Sequence, residues 1–175
     1  SVGIGQGFFT TTPLQLASAI ATLANQGQRM QPHLLYATQG AGSETPQLQP
    51  YQPLNQLPIL EQKNWDKVHD SMRRVVHSKR GTAKRIGRKS KYTIAGKTGT
   101  AQVYTVKQDE EYNEDEIPEH LRDHALFVAF APLEDPEIAI AVIVENGGHG
   151  GSVAAPIAKK IMDRYLLESH TGTNG

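Results

Sequence analysis

Four residues near the middle of the chain, Lys97, Thr98, Gly99 and Thr100, bring together an ammonium, two hydroxyls and a bare stretch of backbone. An ammonium carries a compact positive charge with three donors, and hydroxyls both donate and accept. The set therefore suits a carboxylate, or the negative charge that develops during acyl transfer. The surrounding run, Tyr92-Thr93-Ile94-Ala95-Gly96-Lys97-Thr98-Gly99-Thr100-Ala101-Gln102-Val103, is β-prone through Tyr92, Thr93, Ile94 and Val103. Gly96 and Gly99 remove side chains where another main chain would have to come close. The run reads as an edge strand able to hold an extended ligand, against the plainer reading of an ordinary strand ending in a turn.

Other groupings carry weaker chemistry. Gly96-Lys97-Thr98 matches the end of a phosphate-binding loop, but the first glycine of that motif would fall at Lys91, and the following residues continue as strand instead of opening a helix. Gly3, Gly5 and Gly7 miss the dinucleotide spacing because its last glycine position is Phe8. His120 and His124 stand four apart, the spacing of two ligands on one helix face, yet no third ligand accompanies them. Arg122 and Asp123 between them read as an ion-paired turn, and no metal is expected. Asp109, Glu110, Glu111, Glu114, Asp115, Glu116 and Glu119 crowd one connection. A glycosidase pair among them would need an apolar pocket to raise one carboxyl pKa, and none is indicated. The expectation is a solvated rim or lid, with Asp109 to Glu119 the most mobile internal segment. Lys79, Arg80, Lys84, Arg85, Arg88, Lys89 and Lys91 form a basic stretch without interleaved aromatics, which reads as a solvated face rather than a nucleic-acid site.

Lys97-Thr98-Gly99 is also the third signature motif of penicillin-binding proteins and serine β-lactamases. Together with Ile94-Ala95-Gly96 before it, Thr100-Ala101-Gln102-Val103 after it, the opening Ser1-Val2-Gly3-Ile4-Gly5-Gln6-Gly7 and the later Leu121-Arg122-Asp123-His124, it closely resembles the class B transpeptidases, nearest the penicillin-binding protein 2 branch. The resemblance runs from Ser1 to about Glu168. That family needs a Ser-x-x-Lys nucleophile motif and a Ser-x-Asn motif upstream of the Lys-Thr-Gly strand. None of the eight serines here has lysine three places on or asparagine two places on. The expectation is thus the C-terminal portion of a transpeptidase domain over residues 1–168, with a flexible tail at 169–175, inactive without the segment that bears the serine.

The resemblance implies that the full-length protein is a serine-type D,D-transpeptidase of peptidoglycan synthesis, acylated by β-lactam antibiotics. Lys97 would supply positive charge, the Thr98 and Thr100 hydroxyls would receive the substrate carboxylate, and Gly99 would give backbone access. Ala101 would lie along the substrate, and the Thr100 N–H would complete an oxyanion hole. It implies no cofactor. The partners it implies are peptidoglycan stem peptides, β-lactams, the upstream half of the same domain and, in cell elongation, a glycan polymerase and scaffold proteins. The place it implies is the periplasmic face of the bacterial inner membrane, reached through an upstream anchor. A noncatalytic module that keeps the groove without the nucleophile is the alternative.

The elements that must position these residues are legible in part. Thr12 as N-cap, Pro13 in the first turn and Gln15 three residues after the cap announce a helix from Pro13 to about Asn25, stopped by Gly27 and expected to be buried on most sides. Residues 31–58, rich in Gln, Pro and Gly, read as surface loop with a brief strand at His33 to Tyr36 and a short hairpin. Leu60, Trp65, Val68, Met72, Val75 and Val76 have helical spacing. The resemblance implies a short helix opened by Gly81-Thr82-Ala83 beside the cleft. Ala125 to Ala131 and Ile138 to Val144 read as an antiparallel pair of central strands, apolar on both faces. Asn146-Gly147-Gly148-His149-Gly150-Gly151 can adopt positive φ and admit a ligand. Ser152 could then cap a last helix, with Ile157, Ile161, Tyr165 and, behind them, Ala158 and Met162 as its buried stripe.

The fold class that follows is α/β of the α+β type. An antiparallel sheet is covered by helices on both faces in a penicillin-binding protein or serine β-lactamase-like arrangement, incomplete in this chain. Its strands should lie side by side in chain order, with the first and last helices on opposite faces. At 175 residues, 38% hydrophobic and 21% charged, the chain is long enough for one sizeable core. A formal net charge of zero argues against a broad basic field. The absence of cysteine removes disulfides and thiolate metal sites.

Overall fold

The computed structural model describes residues 10–58, 61–103 and 118–168. The glycine-rich opening, the acidic connection from Asp109 to Ile117, Leu60 and the tail at 169–175 lie outside the described residues. Helix α1 spans Pro13–Ala24, and both halves of its capping box form: the Gln15 N–H donates to Thr12 Oγ1 at 3.2 Å, and the Thr12 N–H to Gln15 Oε1 at 2.8 Å. Gly27, at φ +94°, turns the chain away. A Cβ there would stand 2.7 Å from the Trp65 ring, so glycine also lets helix α2 (Gln62–His77) approach.

Four short strands follow α1 as two antiparallel ladders, β1 (Gln28–Met30) with β4 (Pro53–Gln56) and β2 (Ala37–Thr38) with β3 (Gln47–Leu48). His33 to Tyr36 is not strand. Pro32 precedes it, Leu34 is fully exposed, and the pairing starts one residue later at Ala37. Helix α2 buries Trp65, Met72 and Val76, while Val68 stays exposed. Helix α3 (Lys84–Gly87) then leads to the main sheet.

That sheet contains β5 (Ala95–Ala101), β6 (His124–Ala131) and β7 (Ile138–Val144), antiparallel and in chain order. Pleat alternation sorts its side chains. Ala125, Phe127, Ala129 and Ala131 of β6 join Ile94, Ile140, Val76, Ala83 and Ile86 beneath helix α4 (Ala154–Asp163), which continues as a π turn to Glu168. On the other face Ala95 and Phe130 meet Ile20 and Ala24 of α1 and Met72 of α2. The first and last helices therefore cover opposite faces. Helix α2 reaches both, since Met72 and Val76 lie one turn apart in different clusters.

Further expectations need correction. Helix α1 buries only Ile20 and Ala24, with Leu14 64% exposed, because the sheet covers one side of it among the described residues. Strand β7 forms an edge of the described sheet; only β6 is central. Helix α4 turns Ala154, Ala155, Ala158 and Met162 inward and leaves Ile157, Ile161 and Tyr165 substantially exposed. Small residues let this helix lie close on Ala125, Phe127 and Ala129, a fit that larger side chains at those positions would prevent. Its N-cap is Val153, and the Ser152 hydroxyl donates to the His149 carbonyl at 3.1 Å.

Candidate active site

Strand β5 pairs only with β6 among the described residues, so its outer backbone edge has no strand partner there. Register fixes which way its side chains go. Thr98 lies opposite Phe127 and Thr100 opposite Ala125, on the face of α4, whereas Lys97 lies opposite Val128 and Gly99 opposite Leu126, on the face of α1. The hydroxyls and the ammonium thus flank the strand from its two sides. Ala101, opposite His124, ends the strand on the side of Lys97. Lys97 is exposed, and its Nζ donates to the Thr98 carbonyl at 2.6 Å. Because residues 98–101 remain strand, Gly96-Lys97-Thr98 does not form the loop-to-helix phosphate cradle.

Thr98 and Thr100 line a cleft of about 460 Å³ with Thr82, Arg85, His149, Gly150, Gly151 and Ser152. The Thr82 and Thr98 hydroxyls share a hydrogen bond at 2.9 Å. Thr82 is held there because Gly81 packs on the end of α2, where a Cβ would stand 2.2 Å from the Val75 carbonyl oxygen. The Ala83 N–H then donates to that same oxygen at 3.0 Å. Across the cleft, Gly150 lies so close to β5 and β6 that a Cβ would stand 2.1 Å from the Leu126 oxygen and 2.5 Å from the Gly99 oxygen. The close approach these glycines permit is to the protein's own backbone.

Polar groups fasten the loop that carries them. Asn146, at φ +53°, donates from Nδ2 to the carbonyls of His120 and Arg122 at 3.1 and 3.0 Å, and from its N–H to His124 Nδ1 at 2.9 Å. The His124 ring is therefore an acceptor in a structural contact. Buried Asp123 accepts from the Val103 N–H at 3.3 Å, and its carbonyl accepts from the Gly148 N–H at 2.8 Å, tying the end of β5 to the loop. At the start of β5, His77 Nε2 accepts the Ile94 N–H at 3.0 Å. Burial pulls the His77 pKa below its ordinary value, with nearby Arg73 adding to the effect and Glu134 opposing it. The Tyr92 hydroxyl donates to Asp163 at 3.0 Å, and burial, reinforced by that carboxylate, holds the phenol well above its usual pKa. Lys159 pairs with the same carboxylate.

The Lys97 to Ala101 stretch thus sits on one open strand, as its sequence predicts. The Gly-Thr-Ala segment lies beside it. Sequence reasoning marked the loop of His149, Gly150 and Gly151 as one that could admit a ligand, but missed Arg85 and Ser152 as cleft residues. Arg85 was hidden among basic neighbours that are all exposed, Lys84 beside it included, and only the folded cleft, which Arg85 lines, distinguishes it.

The family described as penicillin binding protein transpeptidase domain matches residues 1–163. The chain belongs to this family. Within it, the chain is 51% identical over 167 residues to the peptidoglycan D,D-transpeptidase MrdA of Acinetobacter baumannii, covering 95% of this chain and 24% of that protein. The chain thus spans about a quarter of that relative's length. Its fold matches Pseudomonas aeruginosa PBP2, solved in complex with WCK 5153, with a TM-score of 0.74 at 44% identity, over 97% of this chain and 32% of the other. It matches Helicobacter pylori PBP2, solved in complex with MreC, with a TM-score of 0.71 at 32% identity, over 95% and 27%. The penicillin G acyl-enzyme of Mycobacterium tuberculosis penicillin-binding protein A matches with a TM-score of 0.65 at 31% identity, over 94% and 34%. These transpeptidase-family structures share the mixed helix and antiparallel-sheet architecture described above.

Proposed function

We propose that this chain is the substrate-gripping portion of a peptidoglycan D,D-transpeptidase whose nucleophilic serine lies upstream in the full-length protein. The observation that carries the reading is the open outer edge of β5, flanked by the Thr98 and Thr100 hydroxyls on one side and the Lys97 ammonium on the other. An extended D-Ala-D-Ala peptide laid along that edge would gain main-chain hydrogen bonds, with side groups on both sides to fix its register. The hydroxyls would hold its terminal carboxylate, Gly99 would leave its backbone room, and Ala101 would line the far end. The Thr100 N–H would stabilise the oxyanion as the serine oxygen adds to the penultimate carbonyl. Terminal D-Ala then leaves, and an amine from a neighbouring stem peptide displaces the serine from the acyl-enzyme. β-Lactams would enter by the same acylation and remain attached.

The further assignments follow the same reading. The full-length protein would act at the periplasmic face of the inner membrane, beside a glycan polymerase and scaffold proteins. Among the described residues no helix is long and apolar enough to cross a membrane. Fluorescent penicillin tests the proposal. The full-length protein should become covalently labelled at a serine outside residues 1–175, and the isolated chain should stay unlabelled. Failure of the full-length protein to label removes the transpeptidase reading in favour of a noncatalytic binding module. Labelling of the isolated chain would place the nucleophile within it.

A further inference from the structure

The cleft beside Thr98 and Thr100 contains a cation that the Lys-Thr-Gly motif does not account for. Arg85 lines it together with both hydroxyls and Thr82. Lys97, the motif's own cation, starts from the opposite face of β5 and is engaged by the Thr98 carbonyl. Arg85 is fixed at its base. Buried Ala83 and Ile86 clamp the segment on either side of it, and Gly151 stands so close to Thr82 that a Cβ would approach its carbonyl oxygen to 2.4 Å. Its exposed head has no carboxylate partner among the described residues, as is true of its basic neighbours Lys84 and Arg88, but of that stretch Arg85 lines the cleft of the two hydroxyls. A guanidinium presents a planar fork of donors matched to the two oxygens of a carboxylate, and hydroxyls alongside complete its hydrogen bonding.

From this arrangement we infer that Arg85 is a specificity-determining residue, which reads the free carboxylate of the acyl donor from the hydroxyl side of β5. The inference rests on the transpeptidase reading and assigns to Arg85 the charge recognition within that cleft. Arg85 selects between donors and does not touch the scissile bond. It discriminates a donor ending in a carboxylate from the same donor with that group masked, because only the first offers it a charged partner.

The test uses the full-length enzyme and two thioester acyl donors, identical except that one ends in a free carboxylate and the other in its methyl ester. Acylation of the parent should favour the acid. Arg85→Gln should lower the acylation rate constant for the acid about 10- to 100-fold while leaving the ester within about twofold. Arg85→Lys should recover part of the preference, since charge returns without the fork. Equal losses on acid and ester would overturn the inference in favour of a packing role, as would an unchanged preference. Thermal unfolding of both variants checks that the exposed substitution leaves the fold intact. A parent that neither donor nor penicillin acylates fails at the preceding step, and Arg85 then has no such role.

Discussion

His77 holds the beginning of β5 with a lone pair. The Ile94 N–H can donate to Nε2 only while that nitrogen is unprotonated, and burial favours the same neutral form. The folded-state pKa is therefore depressed below the ordinary 6.5, so the contribution to stability is fully present above that value and is lost as pH falls through the lowered one. Acidification from about pH 7 to about pH 5 should reduce the denaturant midpoint of the protein. His77→Gln keeps an acceptor without a titrating ring, so its midpoint should depend less on pH over the same range. Identical pH slopes in the two proteins would mean that His77 does not titrate on unfolding. The cleft also depends on single residues: the Thr82–Thr98 hydroxyl contact at 2.9 Å and the lone Arg85 guanidinium sit on segments set in place by their buried neighbours.

At the scale of elements, the cleft is a strand edge pressed between a glycine-rich loop and a short helix. Gly150→Ala forces a methyl against the Leu126 and Gly99 carbonyl oxygens, which belong to a paired ladder and cannot retreat. It should destabilise by about 1–3 kcal/mol or more, whereas Gly40→Ala, with nothing within 4 Å of the added carbon, should stay within about 0.5 kcal/mol. Thermal unfolding of the pair checks this; equal effects would show the loop free to move off the sheet. Sequence marked several of these elements because their signals were local and redundant. Thr12, Pro13 and Gln15 specify one end of α1 three times over, and two runs apolar at every position left β6 and β7 few alternatives. Packing faces were less legible. Ile157 and Ile161, with the large Tyr165, stand out over Ala154, Ala155 and Ala158 in the helical spacing, yet α4 buries the alanines because closeness to the sheet decides its orientation. Likewise the motif order places Lys97 beside Thr98, while the pleat sends them to opposite faces, and it took the placing of α3 against the loop after β7 to show that Arg85 accompanies the hydroxyls.

For the whole molecule, the consequence is a sheet with a helix layer on each face and β5 at a margin among the described residues. The layers are served by two separate core clusters, with α2 spanning both at the Ile94–Ala95 end of β5. This fixes the strand in position while its outer edge keeps no strand partner among the described residues, the feature on which the proposed substrate grip depends. The family assignment and the geometry meet at Lys97, whose charge, on the proposed mechanism, stabilises the acylation transition state more than the bound substrate. The direct measurement is the second-order rate constant for acylation of the full-length enzyme by a chromogenic β-lactam, with thermal unfolding measured in parallel. Lys97→Ala should lower that constant by about 10²- to 10³-fold with the fold retained, and Lys97→Arg should recover only part of it. A Lys97→Ala enzyme that acylates within about threefold of the parent would contradict the account and leave β5 as scaffold.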